Sequence, residues 1–179
     1  MSREPITLVT DRLVLRQWRD ADRNAFAAMN SDPAVMKHFP STLNRRESDT
    51  LLDRLSAAIQ DRGWGFWAAE LKAESKLVGF VGLSIPTAPL PFSPCVEVGW
   101  RLMTAYWGKG LATEAARASL AFGFETLNLK KIVSFTATVN VRSVAVMKRL
   151  AMKEIGNFDH PSVPVGHLLR QHVLYAIER

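Results

Sequence analysis

The sequence predicts an α/β (α+β) fold, and three observations carry the prediction. Residues 95–102, Cys-Val-Glu-Val-Gly-Trp-Arg-Leu, read as a strand; they lead through Tyr106-Trp107-Gly108-Lys109-Gly110 into a helical run, Leu111 to Phe124, where Ala112, Ala115, Ala116, Leu120 and Phe124 recur at helical spacing. Other strand-like runs rich in β-branched or alternating residues are separated by further helical patterns. A chain of 179 residues, 47% hydrophobic and 22% charged, has the size and balance of one domain, residues 1–179, with its own core.

The elements follow in order. Leu13-Val14-Leu15-Arg16-Gln17 alternates as a half-buried strand does. Asp20 is placed to cap a helix carrying Phe26, Ala27 and Met29, which ends at Asp32-Pro33. Asn44-Arg45-Arg46-Glu47 has capping-box spacing; Leu51, Leu52, Leu55, Ala58 and Ile59 line one face of the helix behind it, and Gly63 closes it. Gly65 to Leu71 and Leu77 to Ile85 form a hairpin pattern around Lys72-Ala73-Glu74-Ser75. Pro86, Pro89, Pro91 and Pro94 make a stiff loop before the strand at 95–102. Alternation puts Glu97, Gly99 and Arg101 on one face of that strand and Val96, Val98, Trp100 and Leu102 on the other. Lys131 to Val139 reads as a strand, and Val144, Ala145, Val146, Met147 and Leu150 as a short helix after Asn140.

Strand, Gly-x-Gly turn and helix in that order suit an anion. Glycines admit positive φ and close approach, and the first turn of a helix offers unpaired N–H groups at the positive end of its dipole. The stretch fits neither Gly-x-x-x-x-Gly-Lys-Ser/Thr nor Gly-x-Gly-x-x-Gly, because Thr113 fills the third glycine slot of the latter. On spacing alone a plain tight turn is an equal reading. Composition narrows the classes. The net charge of +6 favours anionic partners, yet Arg45-Arg46, Lys130-Lys131 and Lys148-Arg149 are only pairs, so nucleic acid is not the expected partner. Cys95 is the single cysteine, which rules out an intrachain disulfide and a thiolate cluster; His38, His160, His167 and His172 form no His-Glu-x-x-His pair, and no metal is expected. No apolar run reaches the roughly 20 residues of a membrane span, and Met1-Ser2-Arg3-Glu4-Pro5 opens no leader, so a cytoplasmic setting is expected.

Trp107-Gly108-Lys109-Gly110-Leu111-Ala112 resembles the acetyl-CoA loop of the GNAT N-acetyltransferases, Gln/Arg-x-x-Gly-x-Gly/Ala, with Gly110 and Ala112 matching and Trp107 in the Gln/Arg slot. Tyr106 through Ala115 is similar to the RimJ/RimL branch, which acetylates N-terminal amines of ribosomal proteins. Thr10-Asp11-Arg12-Leu13-Val14-Leu15-Arg16, Val78-Gly79-Phe80-Val81-Gly82-Leu83, Asn140-x-x-Ser143 with Lys148, and the closing segments Phe158-Asp159-His160-Pro161 and His172-Val173-Leu174-Tyr175 extend the resemblance over nearly the whole chain. Leu150-Ala151-Met152 departs from the family's Leu-Gly-Phe.

The resemblance implies a GNAT fold, a mixed and mostly antiparallel twisted sheet of about seven strands with about four flanking helices. It implies acetyl-CoA as donor and a primary amine as acceptor, in a monomer or homodimer. The strand at 95–102 would carry a bulge and splay from its neighbour. Trp100 and Leu102 would then meet the acetyl-pantetheine arm; Trp107, Gly108, Lys109, Gly110, Leu111, Ala112 and Thr113 would hold the pyrophosphate, with Asn140 and Ser143 nearby. The first two helices and the segment between them, with His38 and Phe39, would wall the acceptor site.

Direct acetyl transfer needs a neutral amine and a stabilised leaving thiolate. Many GNAT enzymes protonate the thiolate with a Tyr seven residues after the Asn, but here that slot is Met147, which cannot donate; Ser143 stands where the RimJ/RimL branch has its Ser. Glu97 is the candidate base, directly or through water, with His160 the second choice and a turn-stabilising role also open to it. Cys95 is expected in the core. A peptide or protein α-amine is the leading acceptor. Small amines (a polyamine, an amino sugar, an antibiotic) and a non-catalytic acyl-CoA-binding module are the alternatives.

Overall fold

The computed structural model describes residues 4–179; Met1, Ser2 and Arg3, part of the stretch read for a leader, lie outside the described residues. Its strands are β1 (Leu8–Val9), β2 (Leu13–Arg16), β3 (Phe66–Leu71), β4 (Lys76–Ser84), β5 (Glu97–Leu102), β6 (Lys131–Ala137), β7 (Lys153–Asp159) and β8 (Gln171–Glu178). Its α-helices are α1 (Arg23–Ser31), α2 (Arg45–Arg62), α3 (Leu111–Glu125) and α4 (Val141–Arg149). The strands form one sheet in the order β1-β2-β3-β4-β5-β6-β8-β7, in which only β5 and β6 run parallel. The sequence pattern did not disclose β1, β7 or β8; only the resemblance touched the last two, through the segments at Phe158 and His172.

Local signals account for most boundaries. The Asn44 carboxamide accepts from the Glu47 N–H at 3.0 Å and the Glu47 carboxylate accepts from the Asn44 N–H at 2.8 Å, so the predicted capping box forms. Gly63 takes φ 85° and its N–H bonds Ile59 O at 2.7 Å, which ends α2. At α1 the expectation needs correction. Asp20 opens a short 3₁₀ turn and pairs with Arg23, while the Asp22 carboxylate accepts from the Arg19 N–H at 2.8 Å. The same carboxylate also holds the buried Arg16 guanidinium at 2.8 and 2.9 Å.

The sheet has helices on both faces. Phe80 meets Trp18 edge-on and Phe26 of α1 at a tilt, with Phe66 beside it at 5.2 Å; Trp67, one residue on from Phe66, packs at 5.6 Å from Phe122 of α3. Gly123 of α3 lies against Ile132 of β6, and Asn140 at the head of α4 bonds Thr136, so α3 and α4 share the second face. The first face continues through Glu97 and Val133 into Phe135, Leu174 and Phe158, with Phe92 of the proline-rich loop against them. Trp67, Leu13, Leu15, Phe26, Ile59, Leu83 and Ile132 are fully enclosed, and each such side chain contributes about 1.5–3 kcal/mol.

Among the described residues, no helix is long and apolar enough to cross a membrane, and no group of His, Cys, Asp and Glu is placed to hold a metal ion.

Candidate active site

The site is built where the sheet opens. β4 and β5 pair without interruption from Ser84↔Glu97 to Gly79↔Leu102. β5 and β6 share one register position, Glu97↔Val133, with the Val133 N–H donating to Val96 O at 3.0 Å. Beyond it the two parallel strands part. Strand alternation then leaves the N–H and C=O of Trp100 and the N–H of Leu102 facing the gap. The expected splay is present, but the expected bulge in β5 is not. The irregularity lies on the other edge of β4, where Val78 is an extra residue opposite Ala69/Glu70. Gly79 takes φ 147° there, and a Cβ on it would sit 2.1 Å from the Arg101 carbonyl oxygen, so only glycine fits.

At the open end of β5 lies the loop 107–113. Gly108 and Gly110 have φ 72° and 77°, and Gly110 serves as N-cap of α3 with no side chain over the helix end. The first intrahelical bond is Glu114 N–H to Gly110 O at 3.0 Å. The N–H groups of Leu111, Ala112 and Thr113 precede it, and among the described residues nothing accepts from these or from Gly108, Lys109 and Gly110. Leu111 and Thr113 bury their side chains, so they can serve a ligand only through the backbone. Trp107 does not point into solvent. Its indole N–H donates to Leu102 O at 2.8 Å and the Arg142 guanidinium stacks 4.4 Å from its ring, tying the loop to β5 and α4. The Leu102 carbonyl is thereby engaged, and that residue keeps only its N–H for the gap. The Lys109 ammonium lies 5.3 Å over the Tyr106 ring.

A brace holds this loop from the far end of the chain. The Glu114 carboxylate accepts from Thr10 Oγ1 at 2.6 Å, from the Arg12 N–H at 2.9 Å and from Arg12 Nε at 2.7 Å, while Arg12 Nη1 donates to Lys109 O at 2.9 Å. Burial alone would push the Glu114 carboxyl up; the bonds from Thr10 and Arg12 outweigh it and hold the pKa below the usual range. Sequence reasoning noted Thr10-Asp11-Arg12 and Glu114 separately. Nothing in their spacing, about a hundred residues, signals the pairing.

On the other side of the gap, Asn140 caps α4. Its Oδ1 accepts from the Ser143 N–H at 3.3 Å, and its Nδ2 donates to Thr136 Oγ1 at 2.9 Å and to Ser143 Oγ at 3.1 Å. Ser143 Oγ is thus an acceptor toward Asn140, which aims its own proton elsewhere, close to a helix N-terminus. Met147 is 1% exposed and points into the core, so the slot of the alternative proton donor is a packing position here.

Glu97 stands at the last β5–β6 pair with no hydrogen bond or ion pair to its carboxyl among the described residues, and burial pushes its pKa up to about 7. Cys95, half-buried against Val133 and Leu174, is raised by burial and by the charge of Glu97. His160 is less suited as a base. Its Nδ1 accepts from the Ser162 N–H at 3.2 Å, its ring lies 4.8 Å from His172 among Phe135 and Phe158, and burial lowers its pKa. His38 and Phe39 sit on the α1–α2 connector as expected. Burial first, then Lys37 and Arg142, lower the His38 pKa, and Phe39 stacks 4.2 Å from the Arg101 guanidinium. Arg101 was read only as a strand residue; its strand face was legible, its isolation from any carboxylate was not.

A family model described as "Acetyltransferase (GNAT) domain" matches residues 12–153. The uncharacterized N-acetyltransferase YnaD of Bacillus subtilis is 29% identical over 174 residues, covering 95% of this chain and 95% of the relative. The FsC-acetyl coenzyme A-N(2)-transacetylase of Aspergillus fumigatus is 29% identical over 181 residues, covering 97% of this chain and 76% of the relative. The crystal structure of a GNAT-family acetyltransferase from Bacillus anthracis superposes with a TM-score of 0.81 at 26% identity, covering 97% of this chain and 98% of that one. The parallel strand pair that parts after one position, the glycine loop and the length of the family match lead to the same conclusion: this chain belongs to the GNAT acetyltransferases and is an acetyl-CoA-dependent N-acetyltransferase.

Proposed function

We propose that this enzyme acetylates an N-terminal α-amine on a peptide or protein, with Glu97 as base and Ser143 as the donor to the leaving thiolate. The observation that carries the reading is Glu97: a carboxyl without a partner, brought near pH 7 by burial, at the mouth of the gap. Acetyl-CoA supplies a thioester whose carbonyl carbon the amine attacks and whose thiolate leaves. The N–H groups of Gly108 to Thr113 suit its pyrophosphate, and the unpaired backbone groups of Trp100 and Leu102 suit its pantetheine arm. Glu97 takes the proton that the attacking nitrogen releases. Ser143 donates to the sulfur, its own oxygen held by Asn140.

The choice of an α-amine rests on proton affinity and on the RimJ/RimL resemblance. An α-amine has a pKa of about 8 and a lysine amine about 10.4, so lysine costs about 3 kcal/mol more to deprotonate near pH 7. A single carboxylate near 7 matches the first. Two peptides test it, one with a free N-terminus and no lysine, the other N-blocked with one lysine. CoA release is expected from the first, and faster acetylation of the second refutes the assignment. A second reading, a small amine as acceptor, is favoured by the Aspergillus relative whose name gives an N(2)-transacetylase; turnover of small amines with neither peptide acetylated would establish it.

A further inference from the structure

Arg101 is a half-buried cation without a counter-ion among the described residues. Its guanidinium lies between the rings of Phe39 at 4.2 Å and Phe80 at 5.1 Å. Among the described residues its one acceptor is the neutral Oδ1 of Asn30, 2.7 Å from Nη1. Nε is buried with no partner, and Nη2 bonds no described residue. Asn30, itself fully buried, is fixed from behind by a bond to Ser48 Oγ at 2.9 Å, so Nη1 is held in one place. The chain does build conventional arginine sites elsewhere: Arg16, more fully enclosed, is matched by Asp22 and Glu70. Arg101 has neither. Burial lowers its pKa to about 10, which still leaves it charged near pH 7. An unpaired, desolvated charge is costly, and ionisable groups perturbed in this way cluster at functional sites.

The position is informative. Arg101 and Glu97 are on one face of β5, about 13 Å apart along the strand. Between them Gly99 exposes no side chain, and the Phe66 ring lies 3.0 Å from where a Cβ would be, giving an apolar floor. The connector above carries Lys37, His38 and Phe39, and Lys37 and Arg142 both reach His38 with their charge. No carboxylate perturbs Arg101. The mouth over this face is cationic, in keeping with the net charge of +6.

We infer that Arg101 is the specificity residue of the acceptor site and that the acceptor is anionic: its amine lies at Glu97 and a carboxylate some residues away pairs with Nη2 of Arg101, the guanidinium nitrogen left accessible and unpartnered. An extended peptide advances about 3.3–3.6 Å per residue, so the acid falls two or three residues after the reactive N-terminus. A guanidinium held in one plane by Asn30 and two rings presents Nη2 to a carboxylate oxygen, and it would give a polyamine or a cationic amino sugar like-charge repulsion instead. This inference rests on the acetyl-transfer reading above, with Glu97 at the reacting amine.

The test uses lysine-free peptides with N-terminal alanine and an amidated C-terminus, carrying a single Glu at position 2, 3 or 4, each beside its Gln counterpart. Two readouts are taken: kcat/KM from CoA release, and peptide affinity for the CoA-loaded enzyme by calorimetry. At one position the Glu peptide is expected to exceed its Gln counterpart by about tenfold or more. In Arg101→Met the ratio should fall to about one with acetyl-CoA affinity retained; in Arg101→Lys, which keeps charge but not the fork, it should be intermediate. A ratio near one in the parent enzyme, or an undiminished ratio in Arg101→Met, overturns the anion site while leaving acetyl transfer intact. If Arg101→Met does not fold, the parent ratio and Arg101→Lys decide. A Glu preference in binding that Arg101→Met abolishes, without turnover of any peptide, supports the anion site and refutes α-amine acetylation. Neither binding preference nor turnover overturns both.

Discussion

Glu97→Gln should make the protein more stable and less active, with a pH dependence set by burial. Glu97 is raised from an ordinary 4.5 to about 7 by desolvation alone. Its linkage has the opposite sign to that of a salt-bridged acid. The folded state holds the proton more tightly than the unfolded chain, so stability falls as pH rises from about 4.5 to 7 and stays reduced above. At pH 8 the ionised carboxylate costs at most about 3 kcal/mol, from roughly 1.4 kcal/mol per pKa unit, less what remaining water contact screens; at pH 5 the cost falls below about 1 kcal/mol. Glutamine has the same shape and no charge to desolvate. Urea unfolding at pH 8 should therefore show a gain of about 2–3 kcal/mol for Glu97→Gln, shrinking at pH 5, with kcat/KM for the α-amine peptide reduced about 100-fold or more. From pH 6 to 8 the rise of kcat/KM in the parent should exceed that in the variant by about tenfold, the contribution of the Glu97 titration, the rise common to both being the deprotonation of the amine itself. An equal stability difference at both pH values, or no gain at pH 8, would refute the burial argument. A stabilised variant with undiminished kcat/KM would leave the burial argument standing and remove Glu97 from the chemistry.

Ser143→Ala should lower kcat about tenfold or more while acetyl-CoA affinity by calorimetry changes little, since only the transition state gathers charge on sulfur; an unchanged kcat returns Ser143 to a first-turn residue of α4. Gly110→Val forces a β-branched residue into φ 77° and should cost about 1–2 kcal/mol in unfolding free energy and weaken acetyl-CoA binding at least about tenfold; unchanged affinity in a folded variant would move the pyrophosphate off this loop. Ala151 has φ 59°, the left-handed turn after α4, closed by Met152 N–H to Met147 O at 3.1 Å. Ala151→Gly relieves its Cβ and should raise the melting temperature by about 2 °C, a fall being the contrary result.

The Ala151 turn shows what a local pattern determines. The sequence there departs from the family's glycine, yet the turn keeps its hand because the bonds closing α4 dictate it. Other short-range features were legible for the same reason. The Asn44–Glu47 box, the Gly63 stop, the alternation of β5 and the cap of Asn140 over Ser143 each involve residues within about one turn or one pleat, where spacing alone fixes geometry. The resemblance added the mixed sheet and its gap. It misplaced the bulge, because which edge of β4 carries the extra residue depends on Gly79 lying against the Arg101 carbonyl, a contact between strands.

The sequence by itself therefore determined the four helices, five of the eight strands, the glycine loop and the family. Only the tertiary structure decided which groups are left without partners. Glu97 looks like any strand carboxylate until the β5–β6 ladder ends beside it and its surroundings desolvate it without supplying a partner. Arg12 and Glu114 look like two surface charges until β2 and α3 bring them to 2.7 Å. Arg101 differs from Arg16 in nothing a sequence displays; one is enclosed with two carboxylates and the other with two phenyl rings and an amide. Burial and pairing are properties of neighbours distant in the chain, and the free energy of a buried charge depends on them alone.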